Sequence, residues 1–286
     1  MITRALFASV ALITVLDAAP VLAQTPTVDF PAPSPACTIK QRVGVTDIEV
    51  VYSRPGMKGR KIFAADGVVP FGQVWRTGAN NATKITFNTP LKIEGQEVPA
   101  GTYALFTIPG ETEWTIIINK GAAQWGAFQY KEADDVMRVK VKPSHIAEHI
   151  ETFSIELNHI QDESGVIELA WDDIVVPIKI EHDLTSALVP QIEAVMSSEG
   201  GNKPYYQAAM FYYDHGQDLH KAKEWVDAAI KQRDAHYMEH LKAKILARLG
   251  DKEGAIAAAK RSTELAIQAK DTGYVKMNED LISSLK

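Results

Sequence analysis

The period at which apolar residues recur changes along this chain, and that change limits what it can build. Over the first two thirds apolar and polar residues alternate; over the last third apolar residues recur at helical spacing. Met137, Val139 and Val141 alternate with Arg138, Lys140 and Lys142. Phe153, Ile155 and Leu157 alternate with Ser154, Glu156 and Asn158, and Ile85 and Phe87 with Lys84, Thr86 and Asn88. Successive side chains of a strand point to opposite faces, so one face is apolar and the other wet, as in an antiparallel sheet over a core. Tyr103 to Ile108 and Trp114 to Ile118 are apolar on both faces and belong in the middle of a sheet. Pro177 cannot donate to a ladder, which makes the strand from Val175 to Ile180 an edge. Turn residues at Glu94-Gly95, Pro99-Ala100-Gly101, Pro109-Gly110 and Asp162 to Gly165 punctuate the runs. Many short strands with no helices between them predict an all-β antiparallel sandwich, jelly-roll-like, over residues 37–183; a closed barrel is the alternative.

After His182 the pattern becomes helical. Leu219, Ala222, Val226, Ala229 and Ile230 fall on one stripe, Leu241, Ile245 and Leu249 on another, and Ala255, Ile256 and Ala259 begin a third. Gly250 ends one helix and Asp251 starts the next. The run from Leu246 to Ile256 resembles the helix-turn-helix junction of a tetratricopeptide repeat, with a weaker copy from Phe211 to Asp218. The offset from Ala222 to Ala255 is 33 residues, close to that repeat's period of about 34. Ser262 stands where the repeat prefers Ala, and no Pro closes either unit. Residues 184–286 are therefore expected to be an α-helical repeat-like domain, with flanking helices near Leu184–Ser197 and Tyr274–Leu285. Pro190 is expected in or near the first turn of the former.

Arg4, the apolar run from Ala5 to Leu16 and the small residues before Gln24 make a secretory signal peptide, residues 1–23, cleaved after Ala23. The run is too short to span a bilayer, which takes about 20 residues. The expected product is exported, periplasmic or secreted, with no membrane span. Residues 24–36, rich in Pro, read as an extended linker. Cys37 is the single cysteine, so no internal disulfide contributes. The net charge is −6, which argues against nucleic acid and anionic membranes as partners.

The long stretch from Tyr52 to Asn80 holds Tyr52, Arg54, Arg60, Trp75, Arg76 and Asn80. Connections of this length are usually functional or flexible. Planar guanidinium groups and amides suit bidentate recognition of carboxylates, phosphates or sugar hydroxyls, and Trp75 can stack on a flat face. The expectation is a lip at the sandwich's end that points these groups outward. A loop folded over the end, with its arginines on backbone carbonyls, is the alternative.

The blocks Tyr52-Ser-Arg-Pro55, Trp75-Arg-Thr-Gly-Ala-Asn80, Pro99-Ala-Gly-Thr-Tyr103, Glu113-Trp114, Asn119-Lys120 and Trp125-Gly126 resemble those of the bacterial family known as domain of unknown function 2911, over about Cys37 to Ile180. The resemblance implies an exported β domain found with helical-repeat partners. It brings no activity, and it favours Arg54, Arg60, Trp75, Arg76 and Asn80 as site residues.

Two segments read His-x-x-Glu-His: His145 to His149 and His236 to His240. On a helix this spacing suits zinc, but the first is squeezed between strands and the second is expected to turn its histidines to solvent. No metal ligand set and no cofactor motif follows. Asp134-Asp135 and Asp172-Asp173 are adjacent, a poor geometry for acid–base work in a strand, and turn or cap roles suit them better. There is no Gly-x-Ser-x-Gly elbow and no phosphate loop. The aromatic cluster Tyr205, Tyr206, Phe211, Tyr212, Tyr213 and Trp225 suits helix packing, with one or two tyrosines on a groove. No catalytic residue stands out. A non-enzymatic protein fits best: a β-sandwich holding a small polar, anionic or glycan ligand, with helices that contact a protein. A cell-envelope enzyme acting on glycans or peptides, and a structural component without a pocket, are the alternatives.

Overall fold

The computed structural model describes residues 30–286; the expected signal peptide and residues 24–29 of the expected linker lie outside the described residues. The alternating segments form ten strands. They are β1 (Ala36–Val43), β2 (Thr46–Ser53), β3 (Thr83–Phe87), β4 (Leu91–Ile93), β5 (Gln96–Val98), β6 (Gly101–Ile108), β7 (Trp114–Asn119), β8 (Asp135–Val141), β9 (Ser144–Asn158) and β10 (Ser164–Glu181). They pair antiparallel in two open sheets, β1-β2-β3-β6-β7-β8 and β5-β4-β10-β9, rather than in a closed barrel. The inward residues of both sheets, among them Ile48, Ile85, Phe87, Trp114, Ile116, Phe153, Trp171 and Ile178, are buried as one core. Burial of this apolar surface drives the assembly.

β6 and β7 lie inside the larger sheet, and both their faces are covered. Tyr103, Leu105, Trp114 and Ile116 enter the inter-sheet core. On the outer face Ala104, Phe106 and Ile117 form a second buried cluster with Ala82, packed by Val74, Ile108, Ala127 and Tyr130. The chain segments 74–82 and 120–131 thus fold over the outside of this sheet.

Three expectations need correction. β10 is not an edge: it pairs with β9 up to Val175↔Ser144 and with β4 from Ile180↔Ile93, and Pro177 falls between the two ladders. The missing N–H therefore costs no ladder bond. The last residues of the expected linker are bonded rather than free. The carbonyls of Pro33, Ser34 and Pro35 accept from Lys58 Nζ, Asn80 Nδ2 and the Arg54 amide at 3.4, 3.3 and 2.9 Å. Pro190 lies beyond the first turn, inside α1 (Leu184–Ser197).

Helices α2 (Tyr205–Asp214), α3 (Leu219–Gln232), α4 (His236–Arg248), α5 (Lys252–Ala269) and α6 (Thr272–Ser284) follow α1. Asp183, Asp218, Asp251 and Asp271 cap the N-termini of α1, α3, α5 and α6 with their carboxylates, satisfying amides that a helix start leaves open. Tyr212, Trp225, Leu241 and Ile245 form one helical core, and Leu246, Ala255, Ala258 and Ala259 another. Among the described residues no helix is long and apolar enough to cross a membrane.

Candidate functional site

Three backbone bonds fix the stretch that carries Trp75 and Arg76. Trp75 and Thr107 exchange backbone hydrogen bonds of 2.7 and 3.0 Å, and the Arg76 carbonyl accepts the Thr83 amide at 3.1 Å. Side chains of an extended segment alternate, so Trp75 turns to the inter-sheet core and Val74 and Arg76 to the outer face of the larger sheet. The backbone then bends sharply. Thr77, Gly78 and Asn80 adopt φ of 53°, 153° and 60°. For β-branched Thr77 this region costs about 1–3 kcal/mol. The hydroxyl bond from Thr83 to the Thr77 carbonyl (2.6 Å) and the bond from Thr77 to the Thr107 hydroxyl (3.2 Å) hold it there.

The expected outward lip is largely an internal plug. The Trp75 indole is only 9% exposed; it stacks on Trp171 at 5.9 Å between ring centroids and packs edge-on against Phe63, Trp114 and Phe153. Its N–H donates to the Gly78 carbonyl at 3.1 Å. Tyr52 is buried, and its hydroxyl accepts the Ile155 amide at 2.9 Å; burial pushes its pKa up to about 12. Arg54 Nε donates to the Phe153 carbonyl at 3.0 Å. Arg60 donates to the carbonyls of Met57 and Gly56 at 2.9 and 2.7 Å. The Asn80 amide donates to Ser34 O and Ser53 Oγ at 3.3 and 3.2 Å. The folded-over loop on backbone carbonyls describes Arg54 and Arg60. The indole was expected to face outward, and the need to fill the inter-sheet core turned it in, together with the Tyr52 ring.

Arg76 is different. Its Nε is sealed from solvent with no acceptor, and among the described residues no hydrogen bond or ion pair engages its terminal nitrogens. Burial lowers its pKa below the usual arginine value. Arg54, also half-buried, satisfies its Nε on a backbone carbonyl, whereas the Arg76 Nε has no partner.

The segment 120–131 builds the surroundings of Arg76. Asn119 Nδ2 holds the Lys131 carbonyl and Asp135 Oδ1 at 3.0 and 2.7 Å, Ala82 N bonds Gln124 O, and Gly126 N bonds Asn80 O. Tyr130 anchors the far end, its hydroxyl donating to Asp135 Oδ2 at 2.8 Å. Gly126 has φ of 65°. A Cβ there would sit 2.8 Å from the Phe128 ring and 3.0 Å from Arg76 Nη1, so only glycine lets ring and guanidinium come together. Phe128 is 84% and Trp125 60% exposed, although both sit on a pinned segment. Sequence reasoning missed Phe128 altogether. The usable signal was the double-sided apolarity of β6 and β7, which requires a cover on the outer face.

The other candidates resolve into local contacts. In β9, His145 Nδ1 meets Asp173 Oδ2 at 2.9 Å, and His149 meets Asp172. Between these pairs the register slips, with Ile174 opposite His145 and Asp172 opposite Ile150. The neighbouring carboxylates thus brace a bulge in a strand instead of forming a turn or cap. His236 and His240 do not face solvent freely. His240 Nδ1 bonds Asn278 Oδ1 at 2.7 Å, Asn278 Nδ2 donates to Ser262 Oγ at 2.8 Å, and Ser262 donates to the His236 carbonyl at 2.7 Å. This network is why Ser262, fully buried, is not Ala. Among the described residues no group of three or more His, Cys, Asp or Glu side chains is placed to hold a metal. Cavities lie elsewhere: one of about 300 Å³ at the seam between β4 and α1, beside His182, and one of about 610 Å³ beside Lys140, His159 and Pro177.

The family model described as Protein of unknown function (DUF2911) matches residues 34–180. The chain belongs to this family. No curated protein and no solved structure matches it. The matched region runs from before β1 to the end of β10, so Arg76, Gly126 and Phe128 all lie within the DUF2911 domain.

Proposed function

We propose that the DUF2911 domain of this chain is a non-enzymatic binding module that takes an anion on Arg76. One observation carries the reading: a half-buried guanidinium with no protein acceptor, held on a rigid backbone beside exposed aromatic rings. The sealed Nε is a cost of about 1–3 kcal/mol in the free protein, and the terminal nitrogens, which no protein acceptor engages among the described residues, are the donors left for an arriving carboxylate or phosphate. The backbone strain at Thr77 beside it fits a pre-organised site. Of the six residues expected to bind, Arg76 retains a direct role in this reading. Tyr52, Arg54, Trp75 and Asn80 hold its backbone and plug, and Arg60 acts only within its own turn. The test is a thermal-shift screen of the chain from Gln24 against organic acids, inorganic phosphate and acidic sugars. A ligand at a hundred times its dissociation constant adds about 2.7 kcal/mol, and Arg76→Ala should erase that shift. A shift that survives the substitution removes the proposal.

Export belongs to the same proposal. The sequence of residues 1–23 supports it, and N-terminal sequencing of the product should start at Gln24. For the helices we propose a protein contact. Lys244 Nζ and the Arg248 guanidinium lie 4.5 and 3.8 Å from the centre of the Tyr213 ring. They are like charges at i, i+4 with no carboxylate partner among the described residues.

A further inference from the structure

We infer that the anion taken by Arg76 is a carboxylate borne by a protein segment, an acidic residue flanked by apolar ones, and not a free metabolite. This rests on the proposed role of Arg76 as an anion site.

The shape of the surroundings decides between the two. Small ligands bind in concavities that bury about 70–90% of their surface. Neither of the cavities described above is lined by Arg76, Trp125 or Phe128. Instead the guanidinium lies beside the segment on which Phe128 is 84% and Trp125 60% exposed. A free acid seated there would leave most of its surface in water. A chain segment would cover the rings as well as the charge.

Composition points the same way. Protein interfaces concentrate their energy in Trp, Tyr, Phe and Arg at the centre of a patch. Two aromatic rings left this open on a soluble face are otherwise a liability. The segment that carries them is pinned at Ala82, Asn80, Asn119 and Asp135, so little ordering remains to be done on binding. Charge complementarity selects an acidic partner. Lys84, two residues beyond Ala82 on the same outer face, is exposed and has no carboxylate partner among the described residues. It adds a second cation to the unspent guanidinium.

The experiment selects random heptapeptides by display on the immobilised chain from Gln24. The enriched peptides are then synthesised and titrated by fluorescence anisotropy. The expected result is enrichment of Asp or Glu next to aromatic or aliphatic residues. The dissociation constant should rise about tenfold or more with Arg76→Gln and also with Phe128→Ala, and Arg60→Ala should leave it unchanged. Replacing the peptide's acid by its amide should cost the same factor, and should cost nothing further on Arg76→Gln. Enriched peptides without acids, or binding indifferent to Phe128→Ala, overturn the inference. So does benzoate or inorganic phosphate binding at Arg76 as tightly as any peptide, an outcome that leaves the anion site itself standing. If Arg76→Gln changes neither peptide nor small-anion binding, both readings fall.

Discussion

Arg76→Met should make the protein more stable while removing its ligand. The reasoning starts from what the guanidinium does in the free protein. Its Nε is sealed without an acceptor, and a stranded donor of this kind costs about 1–3 kcal/mol. Methionine keeps an unbranched stem of similar reach against Val74 and the Gly126 segment and strands nothing. The two terminal nitrogens make no protein hydrogen bond that could be lost. The net expectation is a gain of about 1 kcal/mol, which for a chain of this size raises the melting temperature by roughly 2–4 °C. Arg54→Met is the control. Its Nε bond to the Phe153 carbonyl at 3.0 Å is lost, and the expected change is a loss of about 1–2 kcal/mol. Urea unfolding followed by tryptophan fluorescence reads the β domain, because Trp75, Trp114 and Trp171 are buried in its core. A loss of more than about 1 kcal/mol in Arg76→Met would refute the argument, since the guanidinium would then be making a favourable interaction within the folded chain. A gain in stability with ligand binding retained would refute the assignment of the site.

Trp75→Ala removes an indole from the inter-sheet core and should cost about 3–5 kcal/mol; retention of near-wild-type urea stability would contradict the inward placement. Gly126→Ala places a methyl group against Phe128 and Arg76 at a positive φ, and a destabilisation of about 1–2 kcal/mol is expected, with ligand affinity falling alongside. Burial lowers the pKa of His240 below its usual 6.5. The unfolded chain then binds the proton more readily, so His240 supports the helical domain above about pH 6.5, and that support is lost as the pH falls through the folded pKa. Helical-domain melting measured by circular dichroism from pH 7.5 to 5 should show this loss, and His240→Gln should flatten it; equal slopes in both proteins would remove His240 as the cause. The His149 pair with Asp172 has the opposite sign. Its pKa is raised by the hydrogen bond to Asp172, so its contribution is complete below about pH 6.5 and is lost as the pH rises through the folded value. Protection factors at the β9 bulge, which remove the base-catalysed rise of the intrinsic exchange rate, should accordingly fall on the alkaline side.

The sequence by itself determined whatever depends on neighbours in the chain. The period of two gave the strands, the period near 3.6 gave the helices, and Asp251 after Gly250 marked a helix start, because strand faces, helix stripes and caps are set within a few residues. Double-sided apolarity placed β6 and β7 inside the sheet for the same reason. The fate of each candidate site residue was decided only by the tertiary structure. Arg54 and Arg76 belong to one polar block and have the same chemistry. One finds a carbonyl 99 residues away and the other finds none. Pro177 escapes the edge because two ladders end on either side of it, and Ser262 is polar because Asn278 and His236 meet it. A side chain's donors and acceptors are written in its residue type, but the partner that satisfies them is brought in by folding.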